Sequence, residues 1–209
     1  MNIIMVAATE MEIKALRSTT FHNHDIQFAV HGAGMLNACF HIQNLCLQKP
    51  DMLIQCGIAG TYHDQFALGS CVIVASEQLG DCGAEDHDQM IDLFDLGFAN
   101  PNEAPFVEGI LPNPHISSNL HLAKVKGLSV NLCAGSEETI NRRRRYYQPD
   151  IETMEGAALH YVGLATETPF LQFRGISNLV EPRNRNHWKI PEALSACHQA
   201  IIHYLQNLG

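Results

Sequence analysis

Runs of apolar residues on successive positions mark strands that are covered on both faces, and the chain carries them at Ile3 to Ala8, Met52 to Gln55, Cys71 to Ala75 and Phe170 to Gly175. Ile26 to Val30 reads as a further strand. Between and after them, apolar residues recur at helical spacing over Glu10 to Arg17, Leu36 to Gln48, Ser136 to Tyr147, Glu155 to Thr166 and Pro191 to Leu208. Strands alternating with helices predict an α/β domain: a mixed or mostly parallel twisted sheet flanked by helices, with residues 1–209 as a single domain. Gly80 to Pro114, rich in Asp, Asn, Pro and Gly, reads as the longest irregular stretch and an inserted loop region. Pro149 closes the helix before it. That helix opens on Glu137 and Glu138 and ends on Arg142 to Arg145, a polarity that complements its dipole, so the arginine run reads as a solvated helix end. Asp150 stands just before the next helical pattern.

Composition narrows the function. A formal charge of −9, from 13 Lys and Arg against 22 Asp and Glu, argues against a nucleic-acid or anionic-membrane partner and favours a small molecule. With 46% apolar and 17% charged residues the chain is expected to fold, and its apolar runs are too short to cross a membrane. The 7 cysteines show no CxxC pattern and read as reduced thiols of the cell interior, a cytoplasmic setting. The apolar start, Met1 to Ala8, lacks the basic flank of a signal peptide and reads as a buried strand. Although there are 12 histidines, no HExxH occurs, and the acidic cluster Asp81 to Asp88 lacks the spacing of a calcium loop, so no metal is expected.

Two glycine clusters fall at strand ends, where open α/β sheets bind ligands. His31-Gly32-Ala33-Gly34-Met35-Leu36-Asn37 begins like a dinucleotide fingerprint and then fails, with Asn37 in place of the third glycine and no acidic residue after the next strand. Gln55-Cys56-Gly57-Ile58-Ala59-Gly60 lets backbone approach a ligand closely.

Taken in order, several motifs resemble the nucleoside phosphorylase and nucleosidase superfamily: Thr9-Glu10-Met11-Glu12-Ile13, the His31 to Met35 turn, Pro50-Asp51 leading to Gly57 to Gly60, Met154-Glu155-Gly156-Ala157-Ala158, and Arg174-Gly175-Ile176-Ser177-Asn178. Within it the chain is most similar to the futalosine hydrolases of menaquinone biosynthesis, through Gly83 to Asp86, Leu93 to Gly97 and Ser177 to Arg185. The resemblance implies a nucleoside phosphorylase-like fold and cleavage of the N-glycosidic bond of a purine nucleoside, without metal or organic cofactor and in a homo-oligomer.

Such cleavage builds positive charge on the ribose and negative charge on the base, so a carboxylate near the sugar and a hydrogen-bonding partner for the base are needed. The resemblance gives Glu12 the attacking water, Glu155 the ribose hydroxyls and Met154 the face of the sugar. Without it, Glu12 reads as a favourable anion in a first helical turn. Gly60 and Ser177 belong to the matched motifs that line the substrate. Asn178 stands where methylthioadenosine nucleosidases place Asp. Its amide donates to a 6-oxo group and accepts from a protonated N7, which suits hypoxanthine. Ile58 replaces a serine of the adenosine-type enzymes and makes that wall apolar, as an aromatic 5′ substituent requires. The absence of arginine from Ser18 to Asn141 removes the phosphate clamp of the phosphorylases, so water is the expected nucleophile. Arg183 and Arg185 are candidates for the carboxylate of a 5′ arm. An adenine-type nucleosidase acting on methylthioadenosine, S-adenosylhomocysteine or aminodeoxyfutalosine is the alternative, and a non-catalytic purine-binding protein a further one.

Overall fold

In the computed structural model, which describes residues 1–87 and 89–208, the expected alternation becomes one mixed sheet between two layers of helices. Asp88, the end of the acidic cluster, lies outside the described residues. β1 (Asn2–Ala7) pairs in parallel with β2 (Asp25–Val30) on one edge and β3 (Met52–Thr61) on the other. β3 pairs in parallel along its length with β10 (Phe170–Leu179), which pairs antiparallel with β4 (Cys71–Leu79). β4 runs parallel to β8 (Ala123–Ser129), which runs parallel to β9 (Ile151–Thr153). β9 returns to the far end of β3, antiparallel, at Gly60 and Thr61. Strands β3, β10, β4, β8 and β9 therefore close into a ring, and the mouth of that ring is where the long strands end.

The alternation of side chains along β1 builds the two cores. Ile3, Met5 and Ala7 pack with Ile13 and Leu16 of α1 (Glu10–Arg17) and with Cys197, Ile201 and Leu205 of α5 (Ile190–Gln206). Ile4 and Val6 face the other way, onto Ala38 and Ile42 of α2 (Met35–Cys46) and Leu159 and Val162 of α4 (Gly156–Ala165). Period two in the strand and i, i+4 spacing in the helices thus meet at full burial on both faces. No helix of the described residues is long and apolar enough to cross a membrane.

Several expectations need correction. β3, β4 and β10 run past the predicted ends at Gln55, Ala75 and Gly175. The glycines of β3 and β10 stand at or just past the predicted ends, yet they sit inside strands where neighbours fill the space a side chain would take. A Cβ on Gly175, for example, would meet the Ala193 backbone of α5, with its carbonyl carbon only 2.5 Å away. β8 escaped notice because Lys124 and Lys126 interrupt its apolar positions on an exposed face. The Gly80 to Pro114 stretch is not wholly irregular: β5 (Gly83–Asp86) and β6 (Gln89–Asp92) form a hairpin, and β7 (Leu111–Pro112) joins β4. Asp150 precedes the strand β9 rather than a helix, which starts only at Gly156.

The arginine run after α3 (Glu137–Tyr147) begins is not a solvated end either. Arg143 is buried and pairs with Glu152 at 3.0 Å, and Arg142, largely covered, reaches Glu85 at 2.8 Å. Helical spacing turns these two inward. Arg144, which lies over the Tyr62 ring, and Arg145 both keep the exposed position that the sequence suggested.

The tight seat of α5 on β10 is open to test. Gly175→Ala forces a methyl group into backbone that cannot rotate away, and overpacking of this kind costs about 1–3 kcal/mol. At roughly 2–4 °C per kcal/mol for a chain of this size, thermal unfolding should show a midpoint lowered by about 2–12 °C. Gly135→Ala, with nothing within 4 Å of its added Cβ, should leave the midpoint nearly unchanged.

Candidate active site

The strand ends and the starts of α1 and α4 enclose a cavity of about 270 Å³. Glu12, Ile58 and Gly60 line it from one side, Met154 and Glu155 from a second, and Ser177, Asn178 and Arg183 from a third, so all the sequence-predicted site residues but Arg185 reach it. Arg185 does not line it. Both arginines stack on Trp188, at 5.5 Å for Arg183 and 5.8 Å for Arg185, and Trp188 itself forms part of the wall.

Glu12 serves the helix and the cavity together. Its Oε2 accepts from the Thr9 N–H and hydroxyl, both at 3.0 Å, which closes the first turn of α1. Its Oε1 accepts from Ile58 N–H at 3.3 Å and comes within 2.8 Å of where a Cβ on Gly57 would stand. The helix-terminal role occupies Oε2 and leaves Oε1 on the β3 side of the cavity.

Glu155 caps α4 from the opposite wall. The Gly34 N–H donates to its Oε1 at 2.9 Å, and Gly34 makes that approach with φ +87°, a conformation that favours glycine. Burial raises the Glu155 pKa, opposed by the field of Arg174 and by the Gly34 N–H. Asn178 is held through both ends of its amide. Its Nδ2 donates to the Leu179 carbonyl at 2.7 Å and its Oδ1 accepts from the Ser177 hydroxyl at 2.7 Å. A carbonyl can only accept, so Leu179 fixes the amide orientation, leaving one hydrogen and one lone pair for a ligand.

Beneath the floor lies Arg174, a residue with no role in the sequence reading. It is 1% exposed, and its guanidinium and the Glu12 carboxylate both crowd the space left by the missing side chain of Gly57. Arg174 donates to Gln55 Oε1. Gln55 Nε2 then meets His31 Nε2 at 3.0 Å, and His31 Nδ1 meets the Gly32 carbonyl at 2.8 Å. One tautomer satisfies this chain: His31 is neutral, donating from Nδ1 and accepting at Nε2. Burial, with Arg174 nearby, accordingly lowers the His31 pKa to about 4. Glu77 is a further buried carboxylate under the start of α4. It accepts from Gln172, Ser129 and Thr153, and burial raises its pKa to about 7. The signal missed for Arg174 was a lone charge inside an otherwise apolar strand.

No protein-family model matches the chain. It is 28% identical over 151 residues to the futalosine hydrolase of Streptomyces coelicolor, covering 72% of this chain and 63% of that protein. It is also 28% identical over 187 residues to the futalosine hydrolase of Thermus thermophilus, covering 85% and 80%. Among solved structures, the S-adenosylhomocysteine nucleosidase of Streptococcus pyogenes, in complex with 5-methylthiotubericidin, superposes with a TM-score of 0.82 at 18% identity, covering 100% of this chain and 98% of that one. The fold is that of these nucleosidases.

The buried imidazole gives the site a pH dependence. Neutral His31 contributes stability above its ordinary pKa of 6.5, and that contribution is lost as pH falls toward 4. His160, lowered to about 4 by burial, acts in the same sense, whereas Glu77 opposes both because its fold retains a proton up to about 7. Comparison with His31→Gln isolates the first of these. Urea unfolding should show the stability gap between wild type and variant shrinking by about 1–2 kcal/mol from pH 7 to pH 5. A gap independent of pH would mean that His31 titrates alike in the folded and unfolded chain.

Proposed function

With the fold of the purine nucleosidases as premise, we propose that the protein hydrolyses the N-glycosidic bond of futalosine, releasing hypoxanthine and dehypoxanthine futalosine in menaquinone biosynthesis. The observation that carries this reading is the convergence of Glu12, Glu155 and Asn178 on one cavity. Water attacks the anomeric carbon as its bond to the purine nitrogen breaks, and the bond's electron pair leaves with the base. Glu12 takes the proton from the water, Glu155 accepts from the ribose hydroxyls, and Met154 packs on the sugar. The Asn178 amide donates to the 6-oxo oxygen and accepts from N7, which takes from solvent a proton that balances the one Glu12 removes from the water.

The electrostatics favour water over phosphate. Glu12, Glu152, Glu155 and Glu181 line the cavity against the single cation Arg183, and a phosphate dianion would meet like charge. The apolar wall at Ile58 and the Arg183 and Trp188 pair suit an aromatic arm ending in a carboxylate, for which a guanidinium is a planar partner. The 28% identity to two futalosine hydrolases adds support.

The working form is a homo-oligomer in the cytoplasm. Met11 lines the cavity and is 58% exposed, Leu132 stands exposed next to the cavity-lining Cys133, and Leu36 and Phe40 are exposed on α2, apolar surface that a second copy would cover.

Base preference tests the reading. Wild type should hydrolyse futalosine with a higher kcat/KM than its 6-amino counterpart, because a donor facing a 6-amino group leaves a mismatch of about 1–3 kcal/mol. Asn178→Asp should move the ratio of the two kcat/KM values toward adenine by about 10-fold or more, since a carboxyl group accepts from the 6-amino group. Wild-type preference for the adenine nucleoside would assign the chain to the adenine-type nucleosidases, and an unchanged ratio in the variant would remove Asn178 from base recognition.

A further inference from the structure

Glu152 has no part in the chemistry above, yet it stands in line with Asn178. On the antiparallel side of β3, Gly60 pairs with Glu152, and on the parallel side the same Gly60 pairs with Asn178. The three residues form one row across neighbouring strands, and all three line the cavity. With strands about 4.8 Å apart, the two polar residues flank a gap about 10 Å wide between their backbones. Its middle position has no side chain. A Cβ on Gly60 would come within 3.0 Å of both Asn178 Nδ2 and Val180 Cγ2, so the gap exists because glycine occupies that position. A flat, two-ring base fits between two such edges.

The polarity of Glu152 is fixed from behind. Its Oε1 accepts from the Ala134 N–H at 2.9 Å, while its Oε2 accepts from the Tyr62 hydroxyl at 2.7 Å and from Arg143 Nη1 at 3.0 Å. Burial and the neighbouring carboxylate push the Tyr62 phenol up, which keeps it a donor. Every protein group that meets Glu152 therefore donates. A carboxylate offers about four acceptor sites and these partners use three. What remains for a ligand is an acceptor.

We propose that Glu152, held by Arg143 and Tyr62, accepts the N1–H of a 6-oxopurine and is a second determinant of base specificity, opposite Asn178. Adenine carries a lone pair at N1 and would set acceptor against acceptor, whereas hypoxanthine and guanine carry a hydrogen there. The Asn178 amide reads the O6 and N7 edge, and Glu152 reads the edge beyond it. This assignment rests on the nucleosidase reading above, but it is tested by binding rather than by turnover.

The test compares the affinities of wild type and Glu152→Gln for free hypoxanthine and adenine by titration calorimetry. In the variant the amide oxygen stays with Arg143 and Tyr62, which turns the NH₂ group toward the cavity as a donor. The hypoxanthine to adenine affinity ratio should fall by about 10-fold or more, the change expected when one buried hydrogen bond reverses polarity. An unchanged ratio would overturn the proposal. The variant gives up the Ala134 hydrogen bond and could fail to fold, so a second measurement uses wild type alone. Hypoxanthine labelled with ¹⁵N at N1 should show, when bound, an N1–H resonance shifted downfield and slow to exchange. An unshifted or rapidly exchanging N1–H would overturn the proposal, as would the absence of hypoxanthine binding. Wild type that passes both tests yet leaves futalosine intact would overturn only the reaction assigned above. Turnover of futalosine with neither binding signature would overturn only the role of Glu152.

Discussion

A single buried guanidinium sets the terms on which the site can exist. Arg174 is in the middle of β10, 1% exposed, and its hydrogen bond to Gln55 leaves its Nε without a partner. Among the described residues no carboxylate comes within 4 Å of it. An arginine cannot shed its proton to escape burial, so its charge is compensated by the field of its surroundings. That field favours the ionised forms of Glu77 and Glu155 and opposes protonation of His31 and His160. The cation thus offsets part of the burial that raises the pKa of Glu77 and Glu155.

Backbone arrangement converts that charge into geometry. Gly57 clears space for Arg174 and Glu12 to converge under the floor, and Gly60 clears the gap between Glu152 and Asn178. Both glycines lie on β3, the strand shared by β1, β9 and β10. The carboxylates of Glu12 and Glu155 arrive instead from helix starts, where backbone N–H groups are free to hold them. Strands carry Glu152 and Asn178, proposed to face the base, and helix termini carry Glu12 and Glu155, proposed to face the sugar.

The chain made much of this legible. Apolar runs located five of the six longest strands, and the motif order brought Glu12, Met154, Glu155, Ser177 and Asn178 together before any geometry was known. What stayed hidden shares a physical cause, because a residue's environment across strands is absent from local pattern. Arg143 looked like its exposed neighbour Arg145 until Glu152 supplied a buried partner. Gly57 and Gly60 looked like strand ends because nothing local reveals the side chains that fill their space. Lys124 and Lys126 masked β8 because a strand with one exposed face loses its apolar run. Arg174, a lone charge among apolar positions, and Glu152, one of three acidic residues from Asp150 to Glu155, carried no periodic signal.

In the proposed reaction a water molecule, activated by Glu12 in a pocket that repels phosphate, cleaves the bond to the base. The most direct measurement incubates the protein with futalosine in ¹⁸O-labelled water, with and without phosphate, and weighs both products. The account predicts free hypoxanthine without label, a sugar product carrying one ¹⁸O at the anomeric hydroxyl, and the same rate in either buffer. A sugar 1-phosphate, or cleavage that depends on phosphate, would contradict it.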